Sequence, residues 1–210
     1  MPFGVPKVPY QGPEDENASW FDLYNGLYKT RAVFIGRKLD DELMNQTVGI
    51  LVHLHLNNPD KKDIQVFINC PGGWMVSGIA IADLMETVQP DVQTICVGTA
   101  ASMATFILLS GEPTKCTAFP HARVMIHTPI GDICPKTLSG DYVLELEEVA
   151  RLYTRVLEKY TIRTGKTLPV ILKDMEKVVF MTAEEAQDHG IIDDILLNED
   201  KYWEWEEDVY

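Results

Sequence analysis

A chain of 210 residues that is 46% hydrophobic can bury one substantial core, is short for two full-sized domains, and does not have the composition of a disordered segment. The formal net charge of −14 argues against a nucleic-acid or anionic-membrane surface, since both reward basic patches, and no apolar run approaches the roughly 18 residues needed to cross a bilayer. Four cysteines, Cys70, Cys96, Cys116 and Cys134, are widely spaced with no C-x-x-C pair, so neither a zinc site nor a disulfide framework is signalled and a reducing compartment fits.

The opening "MPFGVPKVPYQGPEDEN" has neither the basic-then-apolar layout of a secretion signal nor an Arg/Ser-rich transit pattern. Its prolines, Pro2, Pro6, Pro9 and Pro13, fix backbone angles and remove donors, which predicts an extended arm over residues 1–18. From 20 to 30 the residues Trp20, Leu23, Tyr24, Leu27 and Tyr28 recur at helical spacing, and Asp40 is placed to cap a second amphipathic helix running to about Leu56. "DIQVFINC" (63–70) and "VQTICVG" (92–98) are short β-branched runs separated by a helix-length stretch from 74 to 88. That order is a βαβ unit, so the expected fold is α/β with a largely parallel sheet.

"ARVMIHTP" (122–129) reads as a further strand, followed by a loop carrying Gly131, Pro135 and Gly140. Leu146, Val149, Ala150, Tyr153, Leu157 and Tyr160 then form a stripe on a long helix that Gly165 is placed to end. "TAEEAQDHG" (182–190) has the capping-box order Thr182-x-x-Glu185 and a terminal Gly190, predicting a short helix before the strand "IIDDILL".

Three places in this framework invite chemistry. In "NCPGGW", Pro71-Gly72-Gly73 follows a strand and opens a helix; two glycines let the backbone approach a bound group with free amides, or simply make a tight turn. It is not a phosphate loop, since neither G-x-x-x-x-G-K-[ST] nor G-x-G-x-x-G is present. In "GTAASMATF", Ser102 sits on a strand-to-helix turn. It is either a nucleophile, with the Met103 amide facing the developing charge, or an N-cap hydroxyl. His127, near the end of an apolar strand, is either a core histidine or the base such a serine needs.

"FINCPGG", "GTAASMA" and "FPHARVMIHTP", in this order and spacing, resemble the proteolytic subunit of the Clp protease, ClpP. The resemblance runs from about Trp20 to Leu197 through "PDVQTICVG", the long helix and "FMTAEEAQDHGIID", while "MPFGVPKVP" and "FPHAR" are similar to the plastid-encoded form. It implies an α/β ClpP/crotonase-like fold of ββα units with a protruding handle helix. An arm at 1–18 would gate an axial pore, a peptidase domain would span 19–197 with its handle at about 130–162, and 198–210 would be an acidic, aromatic tail. The implied function is a serine endopeptidase of the chloroplast stroma that cleaves unfolded proteins inside two stacked seven-membered rings of ClpP- and ClpR-type subunits. No metal or cofactor is implied, ATP being used by a partner Clp AAA+ ATPase, and no nucleic acid or membrane.

Residue by residue, the resemblance implies Ser102 as nucleophile, His127 as general base, and the Gly73 and Met103 amides as oxyanion donors. The family's third triad member is an aspartate two residues before the phenylalanine of "RDxFM"; this chain reads "DMEKVVFMT", so that position is Val178. Valine accepts no hydrogen bond from imidazole. Asp174, four positions earlier, is a candidate substitute acid if residues 170–178 are helical. Cys70 replaces the usual serine before Pro-Gly-Gly, and Ala104 replaces the glycine after Ser-Met. Three readings compete: a working peptidase subunit, a structural ring member of the ClpR type, and an acyl-CoA hydratase or isomerase of the related crotonase fold, which does not call for Ser102 with His127. The terminal "NEDKYWEWEEDVY" reads as a solvated acidic tail, with Trp203 and Trp205 offering contacts to a partner surface.

Overall fold

The computed structural model describes residues 4–10, 19–58, 62–128 and 139–196. The acidic tail from 198, Cys134, the first part of the expected handle and most of the expected arm lie outside the described residues.

In chain order the elements are β1 (Lys7–Tyr10), β2 (Ser19–Asp22), α1 (Leu23–Lys29), β3 (Ala32–Ile35), α2 (Asp41–Leu56), β4 (Ile64–Cys70), α3 (Met75–Thr87) and β5 (Val92–Ala101). There follow α4 (Met103–Leu109), β6 (Cys116–Ala118), β7 (Arg123–Ile126), α5 (Ser139–Thr164), α6 (Leu168–Met175), β8 (Val179–Met181), α7 (Ala183–His189) and β9 (Asp194–Ile195). The expected βαβ unit is β4–α3–β5, and its strands pair in parallel. One sheet runs β3-β4-β5-β6-β9, with β7 paired to the far half of β5 and β8 paired antiparallel to β7. Every other pairing in that sheet is parallel, which confirms the α/β class.

Several local signals act as expected. The Asp40 side chain accepts the Leu43 amide at the start of α2. Thr182 and Glu185 form both halves of a capping box, and Gly190 takes the left-handed conformation that ends α7. Others are overridden. The helix expected from Trp20 begins only at Leu23, because Ser19–Asp22 pairs antiparallel with Lys7–Tyr10. Pro9 is tolerated in that two-stranded ribbon, where it stands opposite Trp20. Gly140 lies inside α5 rather than in a loop, and the last strand is reduced to Asp194–Ile195.

The core lies between the sheet and α2, α3, α4 and the second half of α5. It is built from residues such as Ile35, Leu51, Ile68, Ile81, Ile107 and Ile126, each at most 1% exposed. Val156, Leu157 and Tyr160 bury the C-terminal half of α5 in this core, whereas Val143, Leu144 and Leu146 nearer its start are exposed. Among the described side chains, the long helix is therefore anchored through its C-terminal half. Among the described residues no helix is long and apolar enough to cross a membrane.

Candidate active site

Because β4, β5 and β7 are neighbouring parallel strands, their C-terminal ends share one edge of the sheet, where open α/β sheets bind ligands. Gly72-Gly73 follows β4, Ser102 follows β5 and His127 follows β7. Antiparallel β8 brings its first residues to the same edge: Ile126 pairs with Val179, so the register continued by one residue sets Val178 opposite His127. The topology thus brings together four of the positions singled out in the sequence.

Ser102 occupies the N-cap position of α4, yet its side chain makes no capping bond, and its φ of 57° and ψ of −123° are sparsely populated for a residue with a β-carbon. The capping reading is therefore wrong in detail. A serine held in a sharp, strained strand-to-helix turn presents its hydroxyl outward, the geometry of a nucleophile elbow. Several bonds keep the turn in place. The Ser102 amide donates to the Met125 carbonyl at 2.9 Å, and the buried Thr105 hydroxyl lies 2.8 Å from the carbonyls of both Ala100 and Met125. An irregularity in the β4–β5 register after Ile68 carries Val97-Gly98 past the regular pairing, and the Asn69 side chain accepts the Thr99 amide there.

The glycine loop lies against this turn. A β-carbon on Gly72, whose φ is +90°, would fall 2.7 Å from the Ser102 β-carbon and 2.6 Å from the Ala101 carbonyl oxygen. Leu39, fully buried, locks the loop from the other side: its amide donates to the Gly72 carbonyl at 2.9 Å and its carbonyl accepts the Trp74 amide at 3.3 Å. Cys70 closes it from within, its sulfur accepting the Gly72 amide at 3.3 Å. Burial raises the Cys70 thiol pKa above its ordinary value, with the Gly72 and Leu39 amides opposing, so the group stays protonated and serves as a packing and hydrogen-bonding side chain. Met103 is the first residue of α4, so its N–H has no intrahelical acceptor.

Ser102 and His127 share a small pocket whose other walls are Met103, Phe106, Ile126, Val156, Tyr160 and Met175. His127 is half-buried, and its Nδ1 lies 2.6 Å from the Thr128 carbonyl oxygen. The pocket wall supplied by Val156 and Tyr160 comes from the long helix. The Thr128 carbonyl, Leu39 and Thr105 were not singled out at all, because a main-chain carbonyl and two ordinary-looking side chains leave no motif.

The helical premise for Asp174 as a substitute acid does not hold. Helix α6 ends at Met175 with Glu176 as its cap, so residues 170–178 are not one helix and Asp174 does not share a helical face with Val178. Its carboxylate is instead engaged by His189, whose Nε2 lies 3.0 Å from Oδ2. Val178 itself is 63% exposed.

Burial holds the His189 pKa below the ordinary histidine value of 6.5; the Asp174 hydrogen bond opposes this and Lys166 adds to it. With its pKa depressed on folding, His189 binds fewer protons in the folded chain than in the unfolded one. Its contribution to stability is whole above the unfolded value and is lost as pH falls through and below it. The thermal midpoint is therefore expected to fall between about pH 7.5 and about pH 5.5, and to fall less in His189→Gln. Equal slopes for the two proteins would refute this coupling.

Comparison with known proteins agrees with the geometry. The Clp protease family matches residues 14–199. The ATP-dependent Clp protease proteolytic subunit of Eucalyptus globulus subsp. globulus is 52% identical over 193 residues, covering 92% of this chain and 97% of the relative. Proteins with the same description from Lactuca sativa and Spinacia oleracea are 51% and 52% identical over the same length and coverage. With a family match across most of its length and Ser102, the glycine loop and His127 meeting at one sheet edge, this chain belongs to the Clp protease family.

Proposed function

We propose that the chain is a serine endopeptidase subunit in which Ser102 attacks the peptide carbonyl and His127 is the general base. The observation that carries this reading is the uncapped, positive-φ Ser102 sharing a pocket with His127 beside the glycine loop. In the acylation step the imidazole takes the hydroxyl proton as the serine oxygen bonds to the carbonyl carbon. The Gly73 and Met103 amides donate to the oxyanion, and the proton passes to the leaving amine as the peptide bond breaks. Water, deprotonated by the same imidazole, then releases the acyl group and returns the proton to Ser102.

The substrates in this reading are unfolded polypeptides. They are cleaved inside a two-ring tetradecamer shared with ClpP- or ClpR-type sister subunits, in the chloroplast stroma, and are fed by a Clp ATPase that consumes the ATP. The names and plant sources of the relatives support the family-level part of this picture. Residues 1–18 gate the axial pore and α5 is the handle through which rings stack.

Val178 supports a second reading, a ring member with little turnover, since the side chain beside the base accepts no proton or hydrogen bond. A fluorophosphonate probe on the assembled particle separates the two. Stoichiometric phosphonylation of Ser102, absent in Ser102→Ala and in His127→Ala, is the expected result. An unlabelled Ser102 in an intact particle would leave the structural role.

A further inference from the structure

The residue set opposite His127, immediately before β8, is a valine, yet the imidazole is not without an orienting partner. Its Nδ1 lies 2.6 Å from the carbonyl oxygen of Thr128. A carbonyl oxygen only accepts, so this contact requires the proton to sit on Nδ1, which leaves the lone pair of the neutral ring on Nε2. That is the tautomer a base needs in order to take a serine proton. The carbonyl is itself held. The Thr128 amide donates to the Met175 carbonyl at 2.8 Å and the Thr128 hydroxyl donates to the same oxygen at 2.9 Å, while Met175, 2% exposed, closes α6 against the core.

We propose that Thr128 is a positioning residue. Clamped to Met175, it presents its main-chain carbonyl to His127 Nδ1 and does the orienting work that a carboxylate at position 178 would do, so that Ser102 and His127 act as a dyad with a neutral orienter. The inference rests on the serine-peptidase reading for its kinetic consequences, but the tautomer itself does not depend on turnover. Replacing a triad aspartate by asparagine in a chymotrypsin-type protease costs about ten-thousandfold because the wrong tautomer results. Thr128 avoids that loss. What it does not supply is negative charge, and hydrogen bonds to a charged partner are roughly twice as strong as neutral ones. Val178→Asp therefore raises kcat.

The test uses the full chain in its assembled particle with a fluorogenic peptide. Thr128→Val, which keeps the side-chain shape and removes the hydroxyl anchor, is expected to lower kcat about tenfold with KM unchanged, and Thr128→Ser to restore it. In a Val178→Asp background the same Thr128→Val change is expected to cost less than about twofold, because the carboxylate then holds Nδ1. No loss on Thr128→Val, or an equal loss in both backgrounds, overturns the proposal. The second measurement is the imidazole nitrogen spectrum of the histidine-labelled chain, with His127 assigned among its 5 histidines through His127→Gln. A protonated Nδ1 is expected, and a neutral His127 protonated on Nε2 overturns the proposal even if Ser102 reacts. A protonated Nδ1 beside a Ser102 that refuses the fluorophosphonate sinks the peptidase reading and leaves Thr128 as the orienter.

Discussion

Gly73→Ala is expected to cut kcat/KM by roughly a hundredfold to a thousandfold, the range associated with loss of one oxyanion donor. The added β-carbon would lie 2.1 Å from the Leu39 carbonyl oxygen and 2.8 Å from both the amide nitrogen and the β-carbon of that residue. None of these atoms is the tip of a flexible side chain, and Leu39 is fully buried and bonded to both sides of the loop. The loop must therefore move instead, and the φ of +156° at Gly73 adds strain for any residue with a β-carbon, of order 1–3 kcal/mol. Moving the loop takes the Gly73 amide out of the position its proposed oxyanion role requires, while leaving Ser102 and His127 at the ends of their own strands. The expected signature is a fall in kcat with intact far-ultraviolet dichroism and unchanged particle size. A variant that keeps wild-type kcat would remove Gly73 from the oxyanion site. Gly72→Ala should act by a different route, since its β-carbon would strike the Ser102 turn itself.

The pattern of what was legible follows from how far each signal reaches. Asp40, Thr182 with Glu185, and Gly190 act within one turn of their own helices, and all three behave as the local sequence directs. The unit β4–α3–β5 was visible because its apolar runs are long and separated by a full helix. The ribbon of Lys7–Tyr10 with Ser19–Asp22 was not, because helical spacing of Trp20, Leu23 and Tyr24 is a local signal and strand pairing across an intervening loop overrode it. Strands as short as Ala32–Ile35 and Cys116–Ala118 have only four and three residues, which periodicity does not separate from helix or loop. At the site, Ser102 illustrates the same limit in reverse. Serine before a helix is a common cap, and only the backbone angle, held by Thr105 within α4 and by Met125 on β7, turns its hydroxyl away from that role. Asp174 was read by helical arithmetic that the end of α6 at Met175 cancels, and its partner His189 comes from a helix that no spacing rule connects to it.

Tyr160→Ala is expected to destabilise the chain by about 3–5 kcal/mol, the range for removing a large buried aromatic side chain. Tyr160 is 2% exposed, packs its ring against Phe106 with centroids 6.3 Å apart, and belongs to the same pocket wall as Val156 and Met175. Burial also pushes its phenol pKa upward, so the ring stays neutral through the physiological range. Its position explains why the loss should be felt twice. Among the described side chains, α5 is anchored through its C-terminal half, by Val156, Leu157 and Tyr160 in the core and an ion pair from Lys159 to Glu86 on α3. That exposed pair is worth at most about 1 kcal/mol, so the buried residues decide where the helix points. Deleting the Tyr160 ring opens a cavity beside Phe106 in α4, the helix that Ser102 opens, and loosens the long helix together with the proposed catalytic turn. The denaturant midpoint and kcat are therefore expected to fall together in Tyr160→Ala. Tyr160→Phe, which keeps the ring, should change stability by less than about 1.5 kcal/mol and leave kcat near wild type. A large stability loss with unaltered kcat would show that the anchor of α5 and the catalytic turn are energetically separate.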